Sequence, residues 1–137
     1  MEKMATVFYV DDNPKSRRLL SSILEARGFA VISADDPVEA LDRAGELDFD
    51  LALLDYQMPG MMGTELARQL KSRYTDLPVV VISGLASLPT GDLGFVNAHL
   101  GRGATLDELL DTIELLLHLR APVWASKIAR THWHDST

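Results

Sequence analysis

The chain has 137 residues, a hydrophobic fraction of 47% and a charged fraction of 24%, which is the composition of one ordinary globular domain. Its net charge of -7 argues against direct nucleic-acid binding through most of the surface, because phosphate contacts need a basic face. The lack of cysteine excludes disulfides and thiolate metal sites, and without a signal-peptide pattern or a membrane-length apolar stretch the sequence predicts a cytoplasmic protein.

Apolar strands and amphipathic helices alternate through the first half of the chain. The first strand is apolar at almost every position, which is typical of a strand buried on both faces of a parallel sheet. Asn13 is placed to cap the first helix, with Pro14 at its first position, and Gly28 is placed to end it. Asp36 and Pro37 open the second helix in the same way. The predicted elements are strands over residues 6–10, 29–33 and 51–54 and helices over residues 14–27 and 37–47.

The second half continues the alternation less regularly. Residues 84–94 are weakly patterned and rich in glycine and proline, so any helix there is short or irregular. Residues 121–137 form a tail, either an amphipathic segment that docks on a protein surface or a linker to a further domain. The repeated exchange of strand and helix predicts right-handed crossovers and a parallel sheet. The predicted elements are a helix over residues 64–73, strands over residues 78–82 and 95–100, the latter at the sheet edge, and a last helix that Thr105 caps and Pro122 ends.

Three acids follow two of the predicted strands. Asp11 and Asp12 end the first strand, and Asp55 ends the third. Because the carboxyl ends of parallel strands meet at one edge of a sheet, we expect the three carboxylates to lie together. Crowded carboxylates raise one another's pKa and destabilise the fold unless a cation neutralises them, and hard oxygen ligands of this kind suit Mg²⁺. Ser83 and Arg102 follow the fourth and fifth strands and extend this polar edge.

Three motifs stand in a fixed order along the chain. They are Val10-Asp11-Asp12-Asn13, Leu54-Asp55-Tyr56-Gln57-Met58-Pro59 with Gly63, and Val81-Ile82-Ser83-Gly84. With these motifs, the chain from about Thr6 to Leu119 resembles the receiver domain of two-component response regulators. The resemblance implies a flavodoxin-like three-layer α/β sandwich, a five-stranded parallel sheet of order 2-1-3-4-5 with helices on both faces. A receiver domain would then occupy residues 5–120, with the tail or linker after it.

The resemblance also implies a role for each site residue. Asp55 would take a phosphoryl group from a phosphohistidine of a sensor histidine kinase or a phosphotransfer protein. Asp12, Asp55 and the backbone carbonyl of Gln57 would hold Mg²⁺, with Mn²⁺ as an alternative, and Asp11 would help through water. Ser83 would bind a phosphoryl oxygen and signal occupancy by a conformational change. The protein would be a phosphoacceptor in signal transduction, with no chemistry beyond its own phosphorylation and dephosphorylation.

Three residues depart from the family pattern. Arg102-Gly103 stands where a lysine and a proline are usual, and arginine keeps the positive charge but is larger and forked. His99 stands where an aromatic switch residue is usual. It either titrates near neutral pH or is a polar surface residue on the edge strand, and we favour the second. The departures leave open a degenerate receiver that binds partners without phosphorylation, although the intact acids favour phosphorylation.

Other functional classes fit the residues less well. A phosphatase of the haloacid-dehalogenase type needs a second acid two residues after its nucleophile, and Gln57 cannot act as that general acid. A flavin carrier would need a glycine- and hydroxyl-rich phosphate loop where Asp11 and Asp12 stand, and these acids would repel the phosphate. The oligomeric state stays open, with a homodimer among the alternatives.

Overall fold

In the computed structural model, five parallel strands form one sheet of order β2-β1-β3-β4-β5. The structure describes residues 5–85, 88, 94–101 and 103–120, so Arg102, most of the weakly patterned segment and the tail lie outside the described residues. The strand order predicted from the resemblance is confirmed. The strands are β1 (Thr6–Val10), β2 (Ala30–Ala34), β3 (Leu51–Asp55), β4 (Val79–Ile82) and β5 (Ala98–Leu100), and the helices are α1 (Pro14–Ala26), α2 (Pro37–Ala44), α3 (Gly63–Arg73) and α4 (Leu106–Leu119).

Two helical layers cover the sheet. Successive strand residues point to opposite faces, so Phe8 and Leu54 pack towards α2 and α3, whereas Tyr9 and Leu53 pack towards α1 and α4. All four of these side chains are fully buried, as expected for central strands of a parallel sheet. Within the described ranges, none of the helices has the length and hydropathy needed to cross a membrane.

Side-chain caps fix where α1, α2 and α4 begin. The Asn13 side chain accepts hydrogen bonds from the backbone N–H groups of Lys15 and Ser16. Asp36 and Thr105 accept in the same way from the N–H groups three residues further on, at the starts of α2 and α4. These bonds satisfy backbone donors that have no partner inside the helix. The capping residues predicted from the sequence are therefore confirmed.

Two element boundaries differ from the sequence prediction by three residues, and the other boundaries predicted by residue range differ by at most one residue. Helix α2 ends at Ala44 rather than near residue 47, because Gly45 caps it and the Leu47 N–H bonds to the Ala44 carbonyl in a tighter turn. Strand β5 begins at residue 98 rather than 95. The side-chain oxygen of Asn97 accepts a hydrogen bond from the Val79 N–H at 2.9 Å. If β5 began earlier, a backbone carbonyl of that strand would accept this bond instead.

The loop after β3 closes against the strand end at Gly63. The Gly63 N–H donates to the Tyr56 carbonyl at 2.7 Å, and a Cβ atom on residue 63 would overlap the carbonyl oxygen of Asp55. No side chain fits at this close approach. Gly63 therefore lets α3 start directly beside the strand end that carries Asp55.

We predict that Gly63→Ala destabilises the fold by about 1–3 kcal/mol, because the added methyl group forces the β3–α3 loop away from Asp55. Urea unfolding measures the change. Gly45→Ala is the matched control, since a Cβ there meets no atom within 4 Å and the backbone φ is -66°. The control should be neutral or stabilised by about 0.4–1 kcal/mol. Equal stability of the two variants would contradict the close-approach argument.

Candidate metal centre

Three carboxylates meet at the carboxyl edge of the sheet. Val10 pairs with Leu54 in the β1–β3 register, so the residues that follow these strands are neighbours. One carboxylate oxygen from each of Asp11, Asp12 and Asp55 lies within 4.8 Å of the other two. The predicted clustering of the three acids is confirmed, although they come from two strands far apart in the sequence.

Asp11 is the buried member of the cluster, with 3% of its surface exposed. Its Oδ2 atom accepts a hydrogen bond of 2.6 Å from the Tyr9 hydroxyl, and its Oδ1 atom accepts one of 2.9 Å from the Asn13 backbone N–H. The Arg17 guanidinium donates to the Asp11 carbonyl at 2.8 Å. Neither Tyr9 nor Arg17 stands out in the sequence as a site residue. Strand alternation could have indicated Tyr9, since residues two apart on a strand share a face.

The other two acids are open to solvent. Asp12 is exposed and Asp55 is partly exposed. Asp55 faces a surface depression that runs from the acid cluster along one side of α1. The depression is lined by Tyr9, Asp11, Asn13, Ser16, Leu19, Leu20, Ile23, Asp55, Ile82 and Ser83. A ligand can therefore approach Asp55 from outside, whereas the Asp11 carboxylate is held from within.

The acid cluster carries excess negative charge. Burial raises the pKa of Asp55 to about 6, and repulsion from Asp11 and then Asp12 adds to the rise. The main-chain N–H groups of Tyr56 and Gln57 oppose the shift by donating to the carboxylate. Burial also raises the pKa of the Tyr9 phenol, and its hydrogen bond to Asp11 acts in the same direction. At neutral pH Tyr9 is therefore a protonated donor, and the carboxylates repel one another.

The donor set fits a hard divalent cation. All three candidate ligands are carboxylate oxygens, which Mg²⁺ prefers, and a cation would relieve the repulsion that raises the Asp55 pKa. Across the described ranges, no lysine or arginine side chain forms an ion pair with these three acids. The residues present therefore fit the metal implied by the sequence.

Ser83 lies on the far side of the same depression, at the end of β4. Its backbone N–H donates to the Leu100 carbonyl at 3.1 Å, which ties it to β5. Its Oγ atom accepts from the Leu85 N–H at 2.9 Å. Arg102, the remaining residue predicted for this edge, lies outside the described residues.

His99 is less exposed than the sequence suggests. Its side chain, on β5, is partly buried, and its Nε2 atom is buried without a hydrogen-bond partner among the described residues. The expectation of a simple polar surface residue is wrong for this end of the ring. The reason is tertiary: β5 pairs with β4, and the Val81–His99 register places the imidazole on the face of the sheet where the buried Val81 packs.

Comparison with known proteins places the chain among signalling proteins. A sequence profile described as the response regulator receiver domain matches residues 7–95, more than half of the chain. The response regulator MprA of Mycobacterium leprae (strain TN) is 32% identical over 134 residues, which is 96% of this chain and 59% of that protein. The chain spans between 52% and 59% of the length of the first curated relatives that it matches.

Solved structures share the fold. The response regulator TrrA from Thermotoga maritima, crystallised in complex with Mg²⁺-BeF, is 27% identical with a TM-score of 0.76, covering 82% of this chain and 99% of that chain. A crystal structure of the histidine kinase ThkA in complex with TrrA also matches. It gives 26% identity and a TM-score of 0.77 over 83% of this chain and 99% of that chain.

We predict that Asp55→Asn stabilises the metal-free protein at neutral pH. The folded-state pKa of Asp55, about 6, lies above the ordinary value of 3.8, so the folded state binds the proton more tightly. Stability therefore falls as the pH rises from about 4 to about 6, and the ionised carboxylate destabilises the fold above that range. With allowance for solvent screening, we expect Asp55→Asn to raise the free energy of unfolding by about 1 kcal/mol at neutral pH and not to change it at about pH 4.

Urea unfolding in a chelating buffer at both pH values measures this difference. Asp42→Asn, on the exposed side of α2, is the control and should change little at either pH. Saturating Mg²⁺ should reduce the advantage of Asp55→Asn, because the cation stabilises only a protein that binds it. A gain that is independent of pH would contradict the charge-repulsion explanation.

Proposed function

Because the chain belongs to the response regulator receiver domain family, we propose that Asp55 accepts a phosphoryl group from a phosphohistidine of a sensor histidine kinase or a phosphotransfer protein. The observation that carries the proposal is the arrangement of the acid cluster. Asp55 is reachable from the depression, whereas Asp11 is buried and already bonded at both carboxylate oxygens. Asp55 lines the depression at the end of β3 and has two neighbouring acids that can hold a cation.

The transfer uses the Asp55 carboxylate as the nucleophile. One of its oxygens forms a bond to phosphorus, the phosphorus–nitrogen bond of the phosphohistidine breaks, and the imidazole leaves with the electron pair. Asp12, Asp55 and the Gln57 carbonyl would hold Mg²⁺, and Asp11 would contribute through water. When bound, the cation would supply positive charge that neutralises the phosphoryl oxygens. With its pKa at about 6, Asp55 is ionised and nucleophilic at neutral pH even before a cation lowers that pKa.

The signal passes from Ser83 to β5 in this proposal. The Ser83 hydroxyl would donate to a phosphoryl oxygen, while its oxygen accepts from the Leu85 N–H. The backbone hydrogen bond between Ser83 and Leu100 would carry a shift of Ser83 to β5, where His99 lies. Arg102, which lies outside the described residues, follows β5 in the sequence and would supply the positive charge of the phosphate site.

A partner that presents a phosphohistidine would contact α1. Beside the depression, Leu19 is 65% exposed, and Leu20 and Ile23 line the same wall. An exposed leucine next to a reactive carboxylate suits an apolar helix face on the partner. The ThkA–TrrA complex supports a kinase as the class of partner.

A phosphorylation-independent interaction module is the second candidate function. Gly103 has a φ of +93°, a conformation that proline cannot adopt because its ring holds φ near -65°. The loop after β5 therefore follows a different path from one built on the usual lysine and proline. This observation favours a receiver whose phosphate site is altered on the Arg102 side.

We predict that acetyl phosphate with Mg²⁺ phosphorylates the unchanged protein and that Asp55→Asn abolishes incorporation, because the nucleophile is lost. Intact-mass spectrometry measures the added phosphoryl group, and chelation of the cation should also prevent its addition. Asp42→Asn is the matched control and should behave like the unchanged protein. Phosphorylation of Arg102→Lys but not of the unchanged protein would instead support the second candidate function.

We predict that Leu19→Glu slows transfer from a phosphorylated sensor kinase core about tenfold or more but leaves phosphorylation by acetyl phosphate unchanged. The kinase must contact α1, whereas the small donor needs only the acid cluster. Leu115→Glu is the control, because Leu115 is 57% exposed on α4, away from the residues that line the depression. If both variants slow the kinase equally, α1 is not the specific contact.

A further inference from the structure

We propose that Tyr9 is a positioning residue of the cation site: its hydroxyl holds the Asp11 carboxylate in the orientation that a divalent cation bound by the three acids requires. The inference deepens the proposed function, since it rests on the same cation site. It does not depend on whether Asp55 is phosphorylated. The residues concerned are Tyr9 on β1 and Asp11 directly after it.

The position of the Tyr9 hydroxyl is set by the core. The side chain is 0% exposed and packs in the layer between the sheet and the helices α1 and α4, with Leu24, Leu53 and Ile113 in the same cluster. A ring enclosed in this way has few alternative rotamers. The Tyr9 hydroxyl group is therefore held in a fixed position at the sheet edge.

Two hydrogen bonds set the orientation of the Asp11 carboxylate. Tyr9 donates to Oδ2 at 2.6 Å, and the Asn13 N–H donates to Oδ1 at 2.9 Å. An ionised carboxylate only accepts hydrogen bonds, so the phenol must be the donor. The two bonds, one from the core and one from the cap of α1, fix the rotation of the carboxylate. Each oxygen keeps a second acceptor site for a cation or for a water bound to one.

This arrangement assists cation binding in two ways. It prepares the ligand before the cation arrives, and it partly offsets the repulsion of Asp11 by Asp12 and Asp55. Hydrogen bonds to the ligands of a metal typically change its affinity by about 10–100-fold when they are removed. A tyrosine that merely filled the core would lack this effect, because phenylalanine fills nearly the same volume.

The test compares two identical chemical changes. Tyr9→Phe removes the hydroxyl that bonds Asp11, whereas Tyr74→Phe removes one that donates to the Ala44 carbonyl at 3.1 Å in the other helical layer. Calorimetric titration with MgCl₂, without any phosphoryl donor, should show the Kd for Mg²⁺ rising about tenfold or more in Tyr9→Phe. In Tyr74→Phe the Kd should stay within about twofold. An unchanged or lower Kd in Tyr9→Phe overturns the inference.

A double-mutant cycle separates positioning from general loosening. In an Asp11→Asn background, Tyr9→Phe should have no further effect on the Kd for Mg²⁺, because the hydroxyl acts through the carboxylate. A full additional effect in that background overturns the inference. If Tyr9→Phe fails to fold, the NMR resonance of the Tyr9 Cζ atom is measured in the unchanged protein instead. It should shift on Mg²⁺ saturation while that of Tyr74 does not, and equal responses overturn the inference.

The outcomes distinguish this inference from the proposed function. An unchanged protein that binds Mg²⁺ but takes no phosphoryl group contradicts the phosphoacceptor role, and the Kd ratio still decides the role of Tyr9. An unchanged protein that binds no Mg²⁺ overturns the role of Tyr9. Phosphorylation with equal Kd values in both tyrosine variants contradicts only the inference about Tyr9.

Discussion

Repulsion among three carboxylates is the interaction on which the functional edge of this protein depends. The pairing of β1 with β3 places Asp11 and Asp55 side by side, and the chain adds Asp12 at the same edge. Separated acids would be more stable, yet the fully buried central strands hold them together. Packing of the sheet therefore maintains a charge cluster that a cation can relieve. Under the proposed function, binding of a cation or a phosphoryl group at this edge would change the repulsion that the fold maintains.

The same packing gives the acids different surroundings. Asp11 is enclosed and bonded from both sides, so it is a fixed element of the site. Asp55 lies at the end of a rigid strand, faces the depression and has a raised pKa, which are the properties of a group that reacts. Gly63 allows the next helix to begin close behind it. Identical side chains thus differ in exposure and in hydrogen bonding because the core surrounds them differently.

The opposite side of the depression is where this chain departs from its family. Ser83 is tied to β5 through the Leu100 carbonyl, and β5 is a short edge strand with few neighbours. Edge elements of this kind move at lower energetic cost than the central strands. His99 lies on β5, and Gly103, which has a left-handed backbone conformation, follows that strand. The acids are therefore held by buried central strands, whereas β5 lies at the edge of the sheet and is less constrained.

The sequence by itself determined the regular elements, the helix caps and the identity of the acid cluster. Strand and helix periodicity, the capping residues Asn13, Asp36 and Thr105, and acids at strand ends are local signals, and local signals can be interpreted without a fold. The resemblance added the strand order. Only the tertiary structure decided that Tyr9 bonds Asp11, that the ring of His99 is partly covered, and that Asn97 shortens β5. Each of these depends on side-chain direction or on strand pairing between distant segments, which packing alone fixes.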